Sequence, residues 1–273
     1  MSRQLTTGIL GRKGIDIDLK VYLGSLTTAL SSGQVALLDT FVKDLKSGLE
    51  ITNLSDVFDV MYILANETSE SGLNNLVKRS HDATLSATAP TFTVLEGFTG
   101  NGSSAFMELN YNARTEGVNY ELNSSSYGIY FRSKDRGINK YNGVYSTTAD
   151  GGTSNCIMIG SNGPTSINLT INSELLGITN SAFVSGMAMV IRNASANYDY
   201  YINKTKTNSV LSSTKIPNQG IVSLARRTTN GTVGLFNEDQ QSFIFAGKGF
   251  TESEQNIIYD AFQAYMTANG KQV

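Results

Sequence analysis

The sequence has one cysteine and one histidine in 273 residues, and only 16% of its side chains are charged. A single cysteine forbids an intramolecular disulfide, and a single histidine forbids a histidine-rich metal site. Stability must therefore come from packing or from assembly. Lys and Arg number 21 against 23 Asp and Glu, a net charge of −2. That balance supports neither a nucleic-acid footprint nor a broad patch for acidic ligands. No apolar stretch reaches 18 residues, so no membrane insertion is expected. The opening Met1-Ser2-Arg3-Gln4-Leu5-Thr6-Thr7 lacks the apolar core of a signal peptide. The chain is expected to be made in the cytosol and to leave by lysis or as part of a particle.

What is present is a neutral, hydrogen-bonding surface of Ser, Thr, Asn and Gly, which suits contact with a sugar or with another protein of a particle. Cys156 lies in the apolar run Cys156-Ile157-Met158-Ile159 and reads as a small buried hydrophobe, with a reactive thiol as the alternative.

Residues 1 to about 30 read as an arm. They carry Arg3, Arg12, Lys13, Lys20 and several glycines around short apolar pieces, and the alternation in Ile15-Asp16-Ile17-Asp18-Leu19 predicts a short edge strand. From Ser31 the period becomes helical. Ser31 and Gln34 form a capping box, Leu38, Phe41, Val42, Leu45 and Leu49 form one stripe, and Gly48 marks the end. Val57 to Leu64 is a continuous apolar run of the kind a strand buried on both faces requires. A second helix is predicted from about Glu70 to Lys78.

Short β-rich runs follow, separated by Gly, Asn and Ser clusters, among them Tyr127–Arg132, Asn155–Ile159, Ile167–Ile171 and Tyr198–Asn203. Met187–Ile191 and Ser242–Ala246 are apolar enough to be central strands. The last helix is the clearest. Thr251 and Glu254 form its capping box, Ile257, Ile258, Ala261, Phe262 and Tyr265 its stripe, and Gly270 lies just past its end. The expected fold is mainly β, a sandwich of two antiparallel sheets with an N-terminal arm and helix over 1–54 and the sandwich with its C-terminal amphipathic helix over 55–273.

Several ordered segments carry a resemblance. They are Asp59–Glu67 with Leu73–Val77, Asp82-Ala83-Thr84 with Pro90–Thr93, Gly97–Phe106, Asn119–Ser126 before Tyr127–Tyr130, and Gly249–Glu252 through Tyr265–Gly270. In this order and spacing, over roughly three-quarters of the chain, the sequence resembles phage and prophage virion structural proteins that carry a concanavalin A-like (laminin G-like) jelly roll. The resemblance implies a jelly roll, a virion location after synthesis in the host cytoplasm, and display as a homo-oligomer, a trimer by analogy. It implies attachment to other virion proteins through the N-terminal arm, and it implies no reaction. The role expected is a tail piece that binds a receptor or host-surface glycan. The alternatives are a capsid decoration or head-fibre protein and, in another class, a carbohydrate-active enzyme or secreted lectin.

Catalytic chemistry finds little to work with. Retaining glycoside hydrolysis needs two carboxylates about 5–5.5 Å apart, set at alternating positions of a strand, and that pattern is absent. The nearest acid pairs are Asp16/Asp18, Asp56/Asp59 and Glu252/Glu254, the last explained by helix capping. His81-Asp82 sits in a polar loop, and no Gly-x-Ser-x-Gly elbow occurs. Gly97–Gly102 has the glycine density of a phosphate loop but lacks its Lys-Ser/Thr ending, and reads as a hairpin turn. Two features suit binding. Asp199, Tyr201 and Asn203 fall on one face of a strand, where a carboxylate, a ring and an amide suit Ca²⁺ or a sugar, with cross-strand tyrosine pairing as the other reading. The loop group 139–155 and 161–165 has the composition of adaptable recognition loops, or of plain connections. No other cofactor is implied.

Overall fold

The computed structural model describes residues 14–146, 155–174, 177–179, 183–228 and 230–273. Arg3, Arg12 and Lys13 of the arm, and 147–154 of the loop group, lie outside them. The architecture is mainly β with antiparallel sheets, faced on one side by helices.

The predicted edge strand at Ile15–Leu19 is instead a helix, α1 (Ile17–Leu23). Asp16 caps it by accepting from the Asp18 amide at 2.8 Å, and Leu19, Tyr22 and Leu23 are buried at helical spacing. Five alternating residues are too few to outweigh a cap and an i, i+3, i+4 stripe. Helix α2 (Ser32–Leu49) begins where expected, with the Ser31 hydroxyl accepting from the Gln34 amide at 3.1 Å. It runs through Gly48, and its left-handed cap is Glu50, at φ 55°. Gly48 serves packing instead, because a Cβ there would stand 2.6 Å from Ile257 Cγ2 of the last helix. Lys46 ties the two helices together, 2.7 Å from a carboxylate oxygen of Asp16 and 2.7 Å from one of Asp18.

After a 3₁₀ turn (Leu54–Asp56) comes β1 (Phe58–Tyr62), then α3 (Ser69–Leu73). Helix α3 is shorter than the predicted 70–78. Asn74 turns extended, and the Asn75 side chain is held by the Met61 amide at 3.0 Å. Next are β2 (Thr84–Leu85), β3 (Thr91–Thr93), β4 (Gly97–Thr99), β5 (Met107–Glu108), α4 (Ala113–Glu116) and β6 (Ser125–Ser133). The middle of the chain supplies β7 (Lys140–Ser146), β8 (Asn155–Ser161), β9 (Ser166–Ser173), β10 (Gly177–Thr179), β11 (Gly186–Arg192), β12 (Tyr198–Ile202) and β13 (Thr205–Ser209). The rest supplies β14 (Val222–Ser223), β15 (Arg226–Arg227), β16 (Val233–Gly234), β17 (Gln240–Gly247) and α5 (Glu252–Ala268).

An eight-stranded sheet runs β13-β12-β11-β6-β17-β4-β3, with β1 also pairing β17. A six-stranded sheet runs β10-β9-β8-β7-β15-β16, and β14-β5-β2 form a small third one. The strands predicted to be central, at 187–191 and 242–246, lie in the interior of the larger sheet as β11 and β17. Every described pairing is antiparallel except β15 with β7.

The two large sheets enclose one apolar layer. Ile129 and Phe131 of β6, Val190 of β11 and Ile244 of β17 meet Val144, Ile157, Ile159 and Leu169 of the smaller sheet. The opposite face of the larger sheet buries Tyr130, Met189, Phe243 and Phe245 under Phe41 of α2 and Phe262 and Tyr265 of α5. The Phe243 and Phe262 rings stack at 4.5 Å, and Phe41 meets both edge-on. β1 is buried on both faces, which accounts for its unbroken apolar run. Residues 14–54 therefore share a core with the sandwich.

Candidate functional site

The face proposed from sequence on β12 is engaged within the protein. Asp199 lies 2.9 Å from Lys206 Nζ and accepts from the Asn208 side-chain amide at 2.9 Å. Tyr201 is 1% exposed and joins the apolar layer under the helices, where burial raises its phenol pKa. Asn203 lies just past the strand at φ 55°, and its side-chain oxygen accepts from the Met187 amide at 3.0 Å. Asp199 and Tyr201 share a face as expected, while Asn203 closes a turn against β11.

The acid pairs are also engaged. Asp16 and Asp18 hold Lys46. Asp56 accepts from the Asn53 amide at 2.8 Å, and buried Asp59 accepts from the Tyr111 hydroxyl at 2.8 Å and the Asn119 and Tyr120 amides at 3.0 Å each. Glu254 caps α5 through the Thr251 amide at 2.7 Å. His81 Nδ1 is 2.5 Å from the Asn110 carbonyl oxygen. Among the described residues, no three His, Cys, Asp or Glu side chains gather as a metal site.

A different arrangement stands on the outer face of the six-stranded sheet, away from the helices. In β7, Asn142 and Val144 turn inward, so Tyr141, Gly143 and Tyr145 turn outward. Opposite them on β8 lie Gly160, Met158 and Cys156. Gly143 adopts φ 131°, and a Cβ there would approach the Ile157 carbonyl oxygen to 2.0 Å, so the position between the tyrosines must lack a side chain. The parallel pairing of β15 with β7 places Arg226 opposite this glycine. Its guanidinium accordingly lies between the rings, 5.4 Å from the centre of Tyr141 and 5.1 Å from that of Tyr145. Tyr141 is buried and forms the floor, while Tyr145 and Arg226 are half-buried.

The electrostatics follow from this geometry. Burial raises the Tyr141 phenol pKa, opposed by the Arg226 charge. Burial pushes the Cys156 thiol far up, again opposed by Arg226, which makes the sulfur an inert floor residue rather than a nucleophile. Behind the platform, Asn142 anchors β7. Its amide nitrogen donates to Asp239 at 2.7 Å, and its oxygen accepts from Gln241 at 2.6 Å and the Leu224 amide at 2.7 Å. Asp239 is fully buried and paired with Lys134 Nζ at 2.9 Å; burial raises its pKa against the pull of that ammonium.

Residues 139–155 read as loop from their composition, but 140–146 is the strand that carries the two tyrosines. The signal available was Tyr141-x-Gly143-x-Tyr145, a period-two pattern hidden by Asn, Gly and Ser. Arg226 had no local signal, since a parallel pairing brings it there.

No protein-family model matches the sequence, and no curated protein does. Solved structures match it in part. The botulinum neurotoxin serotype D binding domain is 13% identical, with a TM-score of 0.43 over 75% of this chain and 52% of that one. The receptor binding domain of botulinum neurotoxin mosaic serotype C/D is 15% identical, with a TM-score of 0.46 over 76% of this chain and 51% of that one. The Ruminococcus gnavus IT-sialidase CBM40, bound to α2,3-sialyllactose, is 11% identical, with a TM-score of 0.39 over 59% of this chain and 95% of that one. The chain thus spans about half the length of the neurotoxin binding domains it matches.

Proposed function

We propose that this chain is a non-catalytic, glycan-binding display domain of a bacteriophage particle, built as a concanavalin A-like jelly roll and carried on the virion as a homo-oligomer. The observation that carries the binding half is the platform on the outer sheet face, where Arg226 lies between Tyr141 and Tyr145. An amphipathic ring beside a fixed donor is the combination that holds a sugar, its apolar face on the ring and its hydroxyls on polar groups. The virion half rests on the ordered segments that resemble phage structural proteins and on the neutral polar surface.

Attachment to other virion proteins belongs to the N-terminal side. Helix α1 exposes Ile17 and Val21, 57% and 48% accessible and one turn apart. Beside it a groove of about 490 Å³ is lined by Ile15, Val35, Ala36, Asp39 and Lys43, among others.

Two measurements test the reading. On a glycan array the chain is expected to bind a defined set of oligosaccharides, and Tyr145→Ala to weaken that binding about tenfold while the chain stays folded by circular dichroism. An array with no binding would sink the glycan half. Electron microscopy of phage particles labelled with an antibody to this protein is expected to mark the tail. Head labelling would make it a decoration protein, and unlabelled particles would remove the virion reading.

A further inference from the structure

We infer that the sugar held on this platform is an acidic one, whose carboxylate is received by Arg226. This inference rests on the glycan-binding reading and names the class of ligand within it. Three other arginines have their charge or their donors met inside the protein. Arg227 forks onto Glu108, and Arg132 faces Glu96 at 3.6 Å. Arg192, fully buried, spends its donors on backbone carbonyls. Arg226 differs from these three. Among the described residues it has no carboxylate or carbonyl partner, only the two tyrosine rings, and its Nε–H is buried without an acceptor. The Nε–H groups of Arg132 and Arg227 also lack a hydrogen-bond acceptor, but Arg132 Nε lies 3.6 Å from Glu96 and Arg227 holds Glu108 through its terminal nitrogens.

A half-buried guanidinium with no carboxylate partner among the described residues is open to one supplied by a ligand. The rings flank the guanidinium, and its strand pairs with β7 opposite Gly143, which holds the fork in one place. A planar, fixed fork matches the two oxygens of a carboxylate, in a charge-assisted pair stronger than one between neutral groups. The overall charge of −2 argues against a broad basic patch, and one guanidinium is not a patch. It gives recognition of a single acidic group without general attraction for polyanions.

The test compares three matched disaccharides by calorimetry on the purified full chain: cellobiose, cellobiouronic acid and cellobiose 6′-sulfate. The wild-type chain is expected to bind the uronic acid at least about tenfold more tightly than cellobiose, with the sulfate between. Arg226→Gln should erase that preference, so that the uronic acid and cellobiose bind alike, and Arg226→Lys should retain only part of it because an ammonium lacks the fork. Equal wild-type affinity for acid and neutral sugars would overturn the inference while leaving the glycan-binding reading intact. So would a preference that survives in Arg226→Gln, or sulfate bound more tightly than carboxylate. Binding of none of the three, together with an empty glycan array, would overturn both. If Arg226→Gln fails to fold, Arg226→Lys decides alone, and an undiminished preference there refutes the fork.

Discussion

Arg192 has no solvent exposure, yet its partners are carbonyls and a ring. Its donors reach the carbonyl oxygens of Ile171 at 3.0 and 3.2 Å, Asn197 at 3.0 Å and Leu211 at 3.0 Å, with the Tyr198 ring 5.2 Å away. Burial lowers its pKa, but the fork gathers the end of β9 and the segment after β13 onto one point. Arg192→Leu should cost about 3 kcal/mol or more, since several buried carbonyls lose their donor together. Arg192→Lys should recover little of it, and chemical denaturation of the three proteins measures both. A smaller residue effect is set by pH. The Lys271 ammonium, 2.6 Å from Glu96, holds that carboxyl below the usual range, with Arg132 adding to it. A depressed carboxyl gives stability that is present above its unfolded pKa and is lost as pH falls through its folded one. The difference in melting temperature between wild type and Glu96→Gln should therefore be full at neutral pH and shrink below about pH 4. A difference that persists unchanged at pH 3 would mean the contact is packing rather than charge.

The packing of α2 on α5 shows how one position can oppose two physical effects. Glycine inside a helix costs about 1 kcal/mol against alanine, so Gly48→Ala would stabilise an isolated α2. Here the added methyl would lie 2.6 Å from Ile257 Cγ2, and overpacking of that kind costs about 1–3 kcal/mol. The single substitution should destabilise. In an Ile257→Ala background, where the obstacle is gone, it should stabilise, and a double-mutant cycle that shows no such reversal would disprove the close contact. Helix α5 itself was readable from sequence, because its capping box, its stripe and Gly270, at φ 67°, are all local signals. So were β1, β11 and β17, where apolar runs mark strands buried on both faces. Helix α1 was misread because its alternating residues include Ile17, which the helix turns outward. The platform is hard to read from sequence because one half is a strand whose period-two tyrosines are set among turn residues, and the other half arrives through a parallel pairing that leaves no local trace at Arg226.

At the scale of the whole molecule, the layers place the platform and α1 on opposite sides. Helices cover one face of the eight-stranded sheet, the six-stranded sheet covers the other, and the platform lies on the outside of the latter. A domain attached through α1 would thus present the platform outward. Ile17 and Val21 are too small to be a whole interface, which needs roughly 800 Å² per partner, but they suit its centre. Ile17→Asp with Val21→Asp should leave the melting temperature nearly unchanged, because exposed substitutions usually fall within about 0.5 kcal/mol. Sedimentation should show the wild type as a closed oligomer, a trimer by expectation, and the variant as a monomer. Monovalent affinity for a soluble sugar should be the same in both, since the platform is untouched. Retention on a glycan-coated surface should differ, because linked sites raise avidity by about 10²–10⁴ without a new contact. A variant that stays oligomeric would move the assembly contact away from α1. A wild-type monomer, with retention no better than its monovalent affinity, would leave display to be achieved by many copies on the particle instead.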